Sequence, residues 1–334
     1  RPTRRGARRG RRRSKVLVVT ATPGRAWIGV FVRLSVGLAL VVVLLSFVDL
    51  EGAVAQMKLV SPWFFLVAWL VWIGSAVAHV ARWRLALESQ GIHVPFLRLL
   101  RLVVGAHFVT LFMPSAIGGD IIRVYGTKDS TAGVLRSTGI IFVERYCGFL
   151  GTFFLALPAL VFTDFGSKHP GLTAAVIALF IVLVAAVVVA ATPRVASASR
   201  RLCASIGLDR LGDVIERGSL ALRGFIGRPS LLAAMLFFSV AMKAGIALQM
   251  WILARGLGIH IDIAELMIFL PLYNLATTLP ISISGLGTRE VTTAAFFVAM
   301  GVSPHQATTL ALLALIYILG CSLLAGTALL LPGG

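Results

Sequence analysis

A chain of 334 residues that is 58% hydrophobic and only 13% charged cannot be a soluble globule, in which about a quarter of the residues would be charged. It reads as an all-α integral membrane protein with several passes. The formal charge of +18 is a statement about partners rather than fold, and much of it is concentrated, since the first fifteen residues hold eight arginines and Lys15.

Residues 1–24, rich in Arg, Gly, Ser and Pro, lack the apolar content to fold and show no cleavable small-residue motif. A disordered polybasic cytoplasmic tail is expected there, attracted to anionic lipid rather than to nucleic acid. Apolar segments of spanning length, about twenty residues, fall at 27–48, 62–81, 138–162, 172–191, 230–254 and 305–331. Two further apolar regions, about 95–125 and 264–300, are interrupted. The second contains Leu279-Pro280-Ile281-Ser282-Ile283-Ser284-Gly285-Leu286-Gly287-Thr288-Arg289-Glu290. The first contains Phe112-Met113-Pro114-Ser115-Ala116-Ile117-Gly118-Gly119-Asp120-Ile121-Ile122-Arg123, with the same order of apolar run, proline, serine, glycine pair and arginine. An unpaired backbone group in hydrocarbon costs several kcal/mol, so such breaks survive only where they are buried in protein or line a watery cavity.

Short cytoplasmic loops collect Lys and Arg, which orients the chain. With the tail inside, the loop 82–101, with four arginines against Glu88, is also inside. A full crossing at 95–113 would then export the loop 193–229, which has seven arginines against three acids. Making 95–125 a re-entrant helical hairpin entered from the cytoplasm, and 264–300 one entered from outside, keeps both basic loops and both termini inside. The expectation is therefore about six full spans plus two re-entrant hairpins, arranged as two inverted-topology repeats, 25–163 and 164–334, in the cytoplasmic membrane. Within the basic segment 193–229, residues 200–225 alternate apolar side chains with arginines and read as an amphipathic interfacial helix.

A charge at the bilayer centre costs about 2.5–3.5 kcal/mol on insertion scales, so intramembrane charges face an interior and are paired. The first hairpin offers His107, Asp120 and Arg123, the second Asn274, Arg289 and Glu290, and the spans Glu144, Arg145, Lys243 and Gln249, of which His107 and Gln249 read as satisfied core polar groups. The neighbours Glu144-Arg145 and Arg289-Glu290 point about 100° apart on a helix, so each residue is expected to pair with another element, across the two halves. The plain reading is a set of structural ion pairs. The functional reading is that an arginine keeps part of its fork for a phosphate oxygen. Helix N-termini beginning near Ser115 and at Ser284-Gly285 would add N–H donors for the same anion. Lys243 has no acid within one turn, so a hairpin or a substrate must supply its counter-charge. The three cysteines, Cys147, Cys203 and Cys321, lie far apart, and the six histidines form no ligand spacing. No metal or other cofactor is expected, and nucleotide-binding, serine-triad and zinc-hydrolase patterns are absent.

Gly118-Gly119-Asp120-Ile121-Ile122-Arg123, then Val143-Glu144-Arg145, then the run from Pro280 to Glu290 together resemble the lysylphosphatidylglycerol synthase transmembrane-region family. That family includes the flippase domain of the bacterial multiple peptide resistance factor. The resemblance runs from about residue 27 to the end. It implies a protein that moves a lipid with a charged head group between leaflets. In the family's best-known members the lipid is an aminoacylated phosphatidylglycerol. Without an aminoacyl-transferase domain after its last apolar segment, the chain is expected to be a stand-alone member, a group associated with polyprenyl-linked sugars and hopanoid-type lipids.

The combined expectation is a flippase-like transporter and not an enzyme. Arg123, Arg145 and Arg289 would bind the anionic head group, and Asp120, Glu144 and Glu290 would balance them or receive an amine. A separate lipid synthase is a possible partner. The alternatives are a membrane component of lipid-linked sugar transfer, with Asp120 or Glu144 as base, and an accessory scaffold for such a synthase.

Overall fold

The computed structural model describes residues 50–113, 118–131, 133–205, 227–279 and 282–327, with isolated positions in 35–46 and 208–224. The expected tail and the span at 27–48 fall outside the described residues or on those isolated positions, as does most of the amphipathic segment beyond residue 205. The described elements are helical: α1 (Leu50–Leu59), α2 (Pro62–Glu88), α3 (Phe96–Thr110), α4 (Gly118–Thr127), α5 (Val134–Phe162), α6 (Phe165–Lys168), α7 (Pro170–Ala191), α8 (Pro193–Ser205), α9 (Pro229–Gly256), α10 (Ile263–Thr278), a 3-10 turn (Ile283–Gly285), α11 (Thr288–Ala299) and α12 (Pro304–Gly326).

Five of these are long and apolar enough to cross a bilayer: α2, α5, α7, α9 and α12. They match five of the expected spans. Four of the five open on proline, at Pro62, Pro170, Pro229 and Pro304. At the first helical position the missing N–H has no intrahelical partner to lose, and the fixed φ is already helical. The outward faces are apolar, as lipid requires: on α7, Ile181, Val182 and Val188 are all exposed.

One boundary differs from expectation. The second span continues to Glu88, so Arg82 belongs to a membrane helix and not to a basic loop. It is 3% exposed beside the fully buried Trp83. The helix continues because Val80, Trp83, Ala86 and Leu87 keep the helical apolar spacing and pack with Leu99, Val103 and Ile140.

The interrupted regions fold as pairs of short helices. The helices α3 and α4 have 15 and 10 residues, and α10 and α11 have 16 and 12. At about 1.5 Å per residue none reaches the roughly 30 Å of a hydrocarbon core. In the first pair the helices lie so close that a Cβ on Gly119 would sit 2.8 Å from the Ala106 carbonyl oxygen. In the second pair the chain reverses through Ser284, Gly285 and Gly287 at φ of 55°, 76° and 81°. Glycine adopts that region freely, whereas Ser284 does so at a cost of order 1–3 kcal/mol. The two breaks touch, because the Ser284 N–H donates to the Met113 carbonyl at 2.9 Å.

Candidate functional site

A cavity of about 350 Å³ opens where the breaks meet, walled by α2, α3, α4, α5, α9, α10, α11 and α12. Its charged side chains form three groups.

The first group is a chain of alternating charge centred on Glu144 of α5, which is 1% exposed. Glu144 Oε1 accepts from Arg82 Nε at 2.7 Å and from Arg82 Nη2. Its Oε2 accepts from Arg123 Nη2 at 2.7 Å, and His79 Nε2 lies 3.3 Å from Oε1. Arg123 continues through Nη1 to Asp120 Oδ1 at 3.2 Å, with its guanidinium 4.2 Å from the centre of the Trp83 ring. Asp120 Oδ2 then accepts from Arg145 Nε at 2.8 Å and Nη2 at 2.5 Å. Arg82 ties this chain to α9, since its Nη1 donates to Ser239 Oγ at 3.0 Å.

The second group lies at the start of α11. Arg289 donates from Nε and Nη2 to Glu290 Oε1, both at 2.8 Å. Glu290 Oε2 accepts the Gly287 N–H at 2.6 Å. Arg289 and Glu290 were expected to pair with other elements, and they pair with each other instead. The reason is the helix terminus: Glu290 is three residues past Gly287, so its carboxylate folds back over the open N–H, and the Arg289 fork closes on the same group. That N–H is therefore used internally.

The third group is Lys243 of α9, whose Nζ donates to Asn274 Oδ1 of α10 at 2.8 Å. A hairpin does supply its partner, as a neutral amide and not as a counter-charge.

Seven of the expected residues face the cavity: Asp120, Arg123, Glu144, Arg145, Lys243, Ser284 and Arg289. Glu290 and Gly285 do not line it, and Ser115 is outside the described residues. Glu144 and Arg145 each pair with another element, as expected. These ion pairs do not run between the halves, however: Glu144 with Arg82 and Arg123, and Asp120 with Arg123 and Arg145, all lie within the first half. The halves are joined instead by neutral acceptors, such as Ser239 Oγ and the Ala68 carbonyl that binds the Tyr317 hydroxyl at 2.8 Å.

Arg82 and His79 were missed. Their signal is the spacing Ser75, His79, Arg82, a polar stripe at helical intervals along an otherwise apolar helix. Among the described residues, no three His, Cys, Asp or Glu side chains gather as metal ligands.

A family model described as the lysylphosphatidylglycerol synthase TM region matches residues 30–326. The chain belongs to this family. Membership and the five apolar helices make it a multi-pass membrane protein, and the family points to a lipid-related, flippase-like role. A search of curated proteins finds no match.

Proposed function

We propose that the protein is a lipid flippase that moves a lipid with an anionic or zwitterionic head group across the cytoplasmic membrane of a bacterium. The observation that carries this reading is the convergence of two helix breaks on one buried, positively charged cavity. Across its charged cluster, the four arginines Arg82, Arg123, Arg145 and Arg289 outnumber the three acids Asp120, Glu144 and Glu290, and Lys243 adds a further basic group. Buried charge of one sign is costly unless something neutralises it, and an anionic head group does so. The volume, about 350 Å³, is at the lower end of small-molecule sites, about 300–1,000 Å³. The head group fits there while the acyl chains stay in the bilayer.

The packing supports two repeats, 25–163 and 164–334, of opposite orientation. Helix α5 of the first packs on α10, the opening hairpin helix of the second, and α12 of the second packs on α3, the opening hairpin helix of the first. The helices α2 and α9, which precede the two hairpins, pack on each other. Reciprocal swapping of this kind is what a two-fold axis relating the repeats produces, and the loop charges favour placing that axis in the membrane plane. On this reading the first hairpin enters from the cytoplasm, the second from outside, and both termini are cytoplasmic.

We favour transport over catalysis because arginine forks already occupy carboxylate oxygens of Asp120, Glu144 and Glu290 that a general base would need for its substrate. A separate synthase would supply the lipid. Mass spectrometry of lipid co-purifying with the protein tests the reading: a phosphate-bearing lipid enriched over the membrane average is expected, and retention that merely mirrors the bulk membrane contradicts it.

A further inference from the structure

Among the described residues, each arginine of the cavity has a carboxylate partner, but Lys243 has none. It is 8% exposed, and among the described residues its ammonium makes one hydrogen bond, to Asn274 Oδ1. An ammonium has three N–H donors and no acceptor, so it fixes the orientation of the Asn274 amide: the oxygen must face Lys243 and the NH₂ must face away. That NH₂ is buried and has no partner among the described residues, and Asn274 itself is 9% exposed. Both side chains line the cavity. A buried cation without a counter-ion and a buried amide donor without an acceptor, in contact with each other, are each costly in isolation. One anionic oxygen placed between them satisfies both.

We propose that Lys243 Nζ and Asn274 Nδ2 form the subsite that takes a phosphate oxygen of the lipid head group. The proposal deepens, and rests on, the flippase reading above. In that arrangement the arginines hold the cavity electropositive and in shape, while the lysine and the asparagine make the exchangeable contact. Such a division suits a carrier: Arg82, Arg123 and Arg289 are held by two or more polar contacts each, whereas a point-like ammonium with free donors exchanges an anion without disturbing an ion pair within the protein.

The substitution Asn274→Asp separates this role from a structural one. It keeps the side-chain shape but places a carboxylate where Oδ1 sits, 2.8 Å from Nζ, so the lysine gains its counter-ion within the protein. Lys243→Met removes the charge and keeps the length. The probes are phosphatidylglycerol, diacylglycerol as the phosphate-free control, and inorganic phosphate. All are read by native mass spectrometry and thermal unfolding of the detergent-solubilised full chain.

The wild type should retain phosphatidylglycerol at least about tenfold better than either variant. Diacylglycerol should be held equally by all three. Asn274→Asp should unfold at a temperature no lower than the wild type. Equal retention of phosphatidylglycerol by all three proteins overturns the subsite, even if lipid is transported. Stabilisation of the wild type by inorganic phosphate alone, with no dependence of lipid retention on either residue, overturns the lipid assignment. If retention depends on both residues and no lipid moves in proteoliposomes, the flippase reading fails and the subsite stands.

Discussion

The backbone N–H of Ser284 donates to the carbonyl of Met113 at 2.9 Å, which joins the tips of the two interrupted regions over one cavity. The contact makes the helix breaks one structural unit. Ser284→Pro removes the donor and cannot adopt φ of 55°. It should lower stability by about 2–3 kcal/mol and reduce transport, read by thermal unfolding and by a lipid-translocation assay. A variant as stable and active as the wild type would show that the tips do not depend on each other.

Glu144 holds Arg82 and Arg123 at once while almost wholly buried. Glu144→Gln leaves two buried guanidinium groups short of a counter-charge, and a loss of about 3–5 kcal/mol is expected. The comparison is Glu88→Gln, which breaks the partly exposed i,i+4 pair with Arg84 and should cost less than about 1 kcal/mol. Thermal unfolding of the two variants side by side checks the ranking.

Arg82 divides its donors between Glu144 and Ser239, and so joins α2 to both α5 and α9. A lysine carries the charge but lacks the planar fork needed to reach both acceptors. Arg82→Lys should therefore destabilise by about 1–2 kcal/mol, and Arg82→Met by more. Equal effects of the two substitutions would mean that the fork geometry is irrelevant.

The spans were legible because lipid demands long apolar runs and because proline marks where four of them begin. The two helix interruptions were legible from the Pro-Ser-Gly breaks. Arg82 was not, since a charge at the end of an apolar run looks like a loop boundary until the spacing of Ser75, His79 and Arg82 is considered. The mutual pairing of Arg289 and Glu290 was missed for a different reason. Helical periodicity separates adjacent residues, but Glu290 is drawn back to the Gly287 N–H at the helix start. The partner of Lys243 depends on how α9 meets α10, a tertiary relation that spacing within one segment does not contain.

The proposed opposed orientation of the repeats predicts a labelling pattern. Asp129 and His260 are exposed after the first hairpin and before the second. The native cysteines Cys147, Cys203 and Cys321 are buried, so background reaction should be low. A cysteine at 129 should react with an impermeant thiol reagent from the cytoplasmic side, and one at 260 from the outside. Reaction of both from the same side contradicts the inversion.

The most direct test of the central claim is translocation of head-group-labelled phosphatidylglycerol in proteoliposomes, comparing the wild type with Arg289→Ala. Arg289 lies on the cavity wall, and Glu290 keeps its bond to Gly287 when the guanidinium is removed. The account predicts protein-dependent translocation by the wild type and its loss in a folded Arg289→Ala protein. Translocation at the wild-type rate by that variant would contradict it.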